Sequence, residues 1–119
     1  MIGQKEGKGQ IKPGSKNSNE EKLEKKMELH ENGKMKFDGY YLNGKRHGKG
    51  TEYDNNCKII FEGNYLNGER HGEGKEYFNS GNPKIISFGG EYKKGIKWTG
   101  KGYNKIGKVI YELKNGKEI

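Results

Sequence analysis

Phe61 Glu62 Gly63 Asn64 Tyr65 Leu66 Asn67 Gly68 Glu69 Arg70 His71 Gly72 Glu73 Gly74 is the stretch that decides the fold. Phe61, Gly63 and Tyr65 alternate with polar Glu62 and Asn64, the period of two that belongs to a β-strand with one buried face. Asn67-Gly68 follows, a pair that tolerates the positive φ angles of a tight reversal. The same string stands 24 residues earlier as Phe37 Asp38 Gly39 Tyr40 Tyr41 Leu42 Asn43 Gly44 Lys45 Arg46 His47 Gly48 Lys49 Gly50. A third copy opens 27 residues later as Phe88 Gly89 Gly90 Glu91 Tyr92 Lys93 Lys94 Gly95, and a degenerate fourth opens at Tyr111.

A repeat found at this spacing sets the architecture. In each copy an apolar residue, an aromatic, a glycine and a second aromatic fall at alternate positions: Met35, Phe37, Gly39, Tyr41; Ile59, Phe61, Gly63, Tyr65; Ile86, Phe88, Gly90, Tyr92. These are expected to share one face, with Lys36, Asp38, Glu62, Asn64 and Glu91 on the other. A glycine between two aromatics weakens a strand but leaves room for close approach, so it is expected to form a socket for the next unit's ring. Residues 43–50 and 67–74 read as glycine-dense loops, Thr51 and Tyr53 or Lys75 and Tyr77 as the second strand, and residues 54–58 or 79–84 as a polar return turn. Each unit is thus a hairpin of about 24 residues that cannot bury its own face, so neighbours must stack. The predicted fold is all-β, an elongated antiparallel meander of stacked hairpins over residues 27–119.

The front of the chain fits less closely. The glycine spacing of residues 3–9 matches that of residues 44–50, so residues 1–9 read as a remnant of an earlier repeat. Residues 10–26 read as a polar insert, either disordered or a short helix over residues 21–26 after a capping box of Ser18 and Glu21. Composition leans toward disorder, with 28% hydrophobic against 34% charged residues, but eight Tyr, four Phe and one Trp at recurring places beside 21 Gly argue for an ordered array. Cys57 is the single cysteine, which leaves no internal disulfide and no Cys-based zinc framework. No apolar run approaches the roughly 20 residues that span a bilayer, and no signal peptide stands at the start. A reducing, cytoplasmic setting is expected.

The string at residues 61–74 resembles the MORN repeat, whose pattern is aromatic, any, Gly, any, aromatic, any, Asn, Gly, then a basic loop ending in Gly-any-Gly. The resemblance extends over residues 27–119. In the third copy the segment Gly95 Ile96 Lys97 Trp98 Thr99 Gly100 Lys101 Gly102 carries one extra loop residue, with Trp98 and Thr99 in place of Arg-His; in the fourth, Leu113 replaces the glycine. The resemblance implies a non-catalytic interaction or scaffold module that binds a protein partner or self-associates, in association with membrane or cytoskeleton. It also implies two alternatives: an adaptor for anionic phospholipid such as phosphoinositides, and an accessory segment of a larger enzyme such as a phosphatidylinositol phosphate kinase.

The residues offer no catalytic set and call for no cofactor. His47 and His71 recur at equivalent places beside Arg46 and Arg70, but no Cys, Asp or Glu completes a recognisable ligand spacing, so no metal site is expected. Paired carboxylates need a sheltered cleft to split their pKa values, and a thin sheet gives Glu62, Glu73, Glu76 and Glu91 little shelter. The net charge of +8 points to anionic partners. Its densest part is residues 92–111, where Lys93, Lys94, Lys97, Lys101, Lys105 and Lys108 occur with no acid and with Trp98 among them. That segment is the candidate anionic-partner surface: headgroups fit it through lysine and interfacial aromatics, nucleic acid is the less favoured partner, and the plain alternative is buried rings with solubilising lysines.

Overall fold

The computed structural model describes residues 22–79 and 84–119. Nine strands follow in chain order: β1 (Glu24–Leu29), β2 (Met35–Leu42), β3 (Lys45–Tyr53), β4 (Ile59–Leu66), β5 (Glu69–Tyr77), β6 (Ile86–Lys93), β7 (Ile96–Tyr103), β8 (Val109–Lys114) and β9 (Lys117–Glu118). They form one antiparallel sheet whose spatial order is the sequence order. The chain is therefore all-β among the described residues, an open meander of hairpins as the repeat predicts. The remnant expected at residues 1–9 lies outside the described residues, as do residues 10–21 of the expected insert and residues 80–83 of the return turn. Residues 24–26 are strand rather than helix, because β1 pairs along β2 from Glu24 opposite Tyr41 to Glu28 opposite Phe37. A six-residue helix signal cannot cover its nucleation cost against a ready-made strand edge.

The reversals are shorter than the expected loops. Each hairpin turns on two residues, Asn43-Gly44, Asn67-Gly68, Lys94-Gly95 and Asn115-Gly116, all with positive φ between 51° and 89°. This is the mirror-image turn whose twist matches flanking strands. The basic stretches 45–50 and 69–74 accordingly belong to β3 and β5. Each turn glycine from the second hairpin onward also ties to the preceding unit: the N–H of Gly68 donates to the Arg46 carbonyl at 3.0 Å, Gly95 to Arg70 at 2.9 Å, and Gly116 to Trp98 at 2.7 Å.

Pairing corrects the third copy as well. Lys97 stands opposite Tyr92 as Arg70 stands opposite Tyr65, and Gly100 opposite Gly90 as Gly74 opposite Gly63. Lys97-Trp98, not Trp98-Thr99, therefore occupies the Arg-His place. The third hairpin has one residue fewer, not one more, between the basic residue and the paired glycine, because Gly100 rather than Gly102 is the counterpart of Gly50 and Gly74.

One face carries the core. Phe37, Phe61 and Phe88 are fully buried, and Tyr41, Tyr65 and Tyr92 nearly so. The rings form a zigzag of edge-to-face contacts, Tyr41 to Phe37 to Tyr65 to Phe61 to Tyr92 to Phe88, with centroids 5.1–5.7 Å apart. Beneath them runs a row of paired glycines, Gly39, Gly50, Gly63, Gly74, Gly90 and Gly100, each opposite the next. In the first two hairpins the second glycine seats the hairpin's own Phe ring and, beside it, the next unit's Tyr: a Cβ on Gly50 would meet Phe37 at 2.3 Å and Tyr65 at 3.1 Å, and one on Gly74 would meet Phe61 at 2.6 Å and Tyr92 at 3.0 Å. Gly39 and Gly63 instead crowd their own hairpin's backbone and its Phe ring. The leading apolar residues do not join this face. A register shift beside each puts Ile59 opposite Tyr53 and Ile86 opposite Tyr77, and the bulge between them and the following Phe turns them to the opposite face.

A Cβ on Gly63 would lie 2.6 Å from the Glu73 carbonyl oxygen and from the Gly74 Cα, backbone atoms that cannot give way. Gly63→Val is therefore expected to destabilise by roughly 1–3 kcal/mol or more, whereas Lys58→Val, in an exposed turn, costs about 0.5 kcal/mol at most. Thermal melts of the two variants measure the difference, and equal melting temperatures would contradict the packing described.

Candidate binding surface

The core face is closed by its own charges. Arg46 grips Glu28 through Nε and Nη2 at 2.9 and 3.0 Å and reaches Glu52 at 3.9 Å. Arg70 grips Glu52 through the same two atoms at 3.0 Å and reaches Glu76 at 3.2 Å. Lys97 stands at the third rung, 3.8 Å from Glu76 and donating to the Tyr111 hydroxyl at 3.0 Å. Each cation covers a ring: the guanidinium carbons of Arg46 and Arg70 lie 4.1 Å from the centroids of Phe37 and Phe61, and Lys97 Nζ lies 5.1 Å from that of Phe88. The hydroxyls of Tyr41, Tyr65 and Tyr92 donate to Glu28, Glu52 and Glu76. Acid and base thus alternate from Glu28 to Lys97. Arg46 and Arg70, expected in loops, are strand residues consumed by this ladder.

The candidate lysines do not share a surface. Lys97 lies on the core face, and alternation puts Lys93 and Trp98 on the other, where Lys93 Nζ sits 4.7 Å from the Trp98 ring. Trp98 covers Gly116, whose added Cβ would meet it at 2.8 Å. Lys94 occupies a turn at φ 51° where the other hairpins have Asn. Lys105 Nζ lies 5.7 Å from the Phe78 ring, and the Lys108 N–H closes the turn on Asn104. His71 Nδ1 faces the Lys94 N–H at 3.3 Å, and His30 Nε2 the Tyr53 carbonyl at 3.0 Å. Among the described residues no group of three His, Cys, Asp or Glu side chains is placed to hold a metal ion. Cys57 is exposed, at φ 68° in the turn after β3.

The opposite face is open. A groove of about 660 Å³ crosses it, floored by Gly50, Gly63, Gly74, Gly89 and Gly90 and walled by Lys49, Thr51, Glu62, Asn64, Glu73, Lys75, Ile86 and Tyr103. Glu62 accepts from the Tyr77 hydroxyl at 2.6 Å and from Lys84 at 3.2 Å. Lys49, Glu73 and Lys75 have no ion-pair partner within 4.0 Å among the described residues and are exposed. Periodicity put Glu62 and Asn64 on this face, but nothing in it marked the face as a groove. The retrievable signal was the core ladder: Glu28, Glu52 and Glu76 recur every 24 residues in step with Arg46 and Arg70, which leaves the other face as the unspent one.

The ladder makes stability depend on pH. The Arg46 guanidinium holds Glu28 below the usual carboxylate value of 4.5, and the Tyr77 hydroxyl does the same for Glu62. At Glu52 burial pushes upward, but Arg70 and Tyr65 outweigh it and the net shift is downward. Lowered acids bind fewer protons when folded, so their contribution is complete above about pH 4.5 and is lost as the pH falls below it. Burial and the Glu28 carboxylate push Tyr41 up to about 12, and burial with Glu62 does so for Tyr77. That contribution is intact below pH 10, the ordinary value, and is lost toward pH 12. Glu52→Gln is expected to cost about 2 kcal/mol near neutrality and to flatten the acid limb of a melting-temperature profile. An unchanged acid limb would show that the ladder does not set it.

In a comparison with protein-family models, the MORN repeat matches at residues 37–58 and 61–82, the segments that begin at the buried Phe37 and Phe61 and run through the Asn-Gly hairpins β2–β3 and β4–β5. No curated protein and no solved structure matches the chain. MORN repeats are in general non-catalytic repeat modules. Residues 37–58 and 61–82 are thus two MORN repeats, and a third and a degenerate fourth unit follow the same ring and glycine plan.

Proposed function

We propose that this chain is a non-catalytic interaction module whose groove face receives a protein partner. The contrast between the two faces carries the reading. On the core face every cation of the ladder is spent on acids and rings of the array itself. On the groove face Lys49, Glu73 and Lys75 stand exposed without ion-pair partners within 4.0 Å among the described residues, over a glycine floor that lets a ligand approach the backbone. Mixed, unspent charge beside an apolar floor suits a protein surface, whose opposite charges supply specificity. A polyanion would meet Glu62 and Glu73 as well as the lysines.

One observation favours a second reading, a contact with anionic membrane. Ile106 is 87% exposed at the tip of the turn before β8, between Lys105 and Lys108, with Ile110 58% exposed nearby. The turn is fixed by Asn104, whose Oδ1 accepts from the N–H groups of Ile106 and Lys108. An apolar tip between two lysines matches the shallow insertion of interfacial proteins.

Affinity capture from cell extract separates the readings when the parent is compared with Lys49→Glu/Lys75→Glu and with Ile106→Ser/Lys105→Ser/Lys108→Ser. The groove variant is expected to lose about tenfold in captured partner, while the tip variant keeps it. Sedimentation of the same proteins with anionic liposomes in roughly 0.1 M salt tests the membrane reading. Capture that is equal for all three proteins, together with sedimentation lost only in the tip variant, would overturn the first reading in favour of the second.

A further inference from the structure

The groove face carries an acid directly after the buried aromatic of each unit, with one exception. Asp38, Glu62 and Glu112 hold the position in β2, β4 and β8, and Gly89 holds it in β6. Glu62 shows what the acid does: its carboxylate accepts from Tyr77, at the end of the same hairpin, and from Lys84. At Gly89 the surroundings are present and the carboxylate is missing. Lys75 and Lys101 stand opposite Gly89 on its two sides, and Tyr103, the counterpart of Tyr77, lines the groove beside it. Neither lysine has an ion pair within 4.0 Å, and the Tyr103 hydroxyl has no hydrogen-bond partner, among the described residues. Lys75 stands across the strand from Glu62, and Lys101 from Glu112, without either pair closing to 4.0 Å among the described residues.

The fold does not require this glycine. A Cβ added to Gly39, Gly50, Gly63, Gly74, Gly90, Gly100 or Gly102 would come within 3.0 Å of another atom, whereas one added to Gly89 would meet nothing nearer than Lys75 Cγ at 4.0 Å. Its φ lies outside the left-handed region. A strand interior is a poor place for glycine when packing does not demand it. One further mismatch lies beside it: Glu73 and Glu91 are directly opposite one another on the same face, a like-charge pair that disfavours the sheet. It is displaced from the Lys75–Gly89 pair by two residues along the strands, about 6.7 Å.

We propose that the notch over Gly89 takes the carboxylate of an Asp or Glu side chain from an extended protein segment lying in the groove, with Lys75, Lys101 and Tyr103 as donors, while a Lys or Arg two residues along that segment sits over Glu73 and Glu91. The inference rests on the interaction-module reading and names the chemistry of its partner. The open position is the one that Asp38, Glu62 and Glu112 fill in the other units. The offset between the positive notch and the acidic pair equals the spacing of same-side residues in an extended chain, whereas residues two apart on a helix point in different directions. A run of acids, a nucleic acid or a bilayer would place negative charge against Glu73 and Glu91.

Selection of a random heptapeptide phage library on the parent chain tests this. Enriched peptides are expected to carry an acid and a base two positions apart, and the synthetic peptide from the strongest clone to bind Gly89→Glu about tenfold more weakly than the parent. Gly89→Ala, which leaves the notch open, is expected to bind as the parent does, and both variants to melt no lower than it. Enriched peptides without an acid, with acid runs and no base, or with equal affinity for Gly89→Glu would overturn the inference and leave the interaction reading standing. A selection that enriches nothing would overturn both.

Discussion

The packing of a phenylalanine ring against a cross-strand pair of glycines is the constraint from which the rest of the structure follows. Phe37 lies over Gly39 and Gly50, and Phe61 over Gly63 and Gly74, in space that any Cβ would occupy. A single-layer sheet has no second layer to bury its rings, so they must sink into the sheet itself. The glycines permit that, at the cost of strand propensity. Once sunk, the rings are low enough for an arginine to lie across them, and the core acquires a lid without a second sheet or a helix.

That lid explains why buried charge is tolerated. Arg46 and Arg70 are each flanked by two carboxylates and seated on a ring, so desolvation is offset by bidentate hydrogen bonds and by the ring face. Because each arginine bridges the acid of the preceding unit, two strands back, to the acid of its own strand, the ladder couples neighbouring units and no others. This is the nearest-neighbour energetics of a linear array.

Much of the fold was legible in the sequence, since a period of two, an Asn-Gly pair and a 24-residue recurrence are local signals. The side chains that close the core were not, because their partners lie far apart: Arg70 and Glu52 are 18 residues from one another and meet only through the strand order. Bulges defeated the period at Ile59 and Ile86, where one unpaired residue exchanged the faces. The third hairpin misled for a related reason: its glycines recur, but the residue count between them differs. On the groove face, Gly89 looked like one more glycine in a glycine-rich chain. Only the space around it distinguishes a glycine the packing demands from one it does not.

The two ends of the ladder are unequal. At the front, Glu28 is held by a bidentate guanidinium; at the back, a single amine at Lys97 has Glu76 at 3.8 Å, and Gly102 stands where β1, β3 and β5 carry an acid. The last hairpin is thus joined to the array by fewer charged contacts than any before it. In a linear array the least coupled unit opens first, so amide exchange should run as a gradient, fastest in β8 and β9 and slowest at the arginine rungs of β3 and β5. The weakly tied β8–β9 hairpin is thus expected to open ahead of its neighbours, while the ring zigzag beside it stays closed.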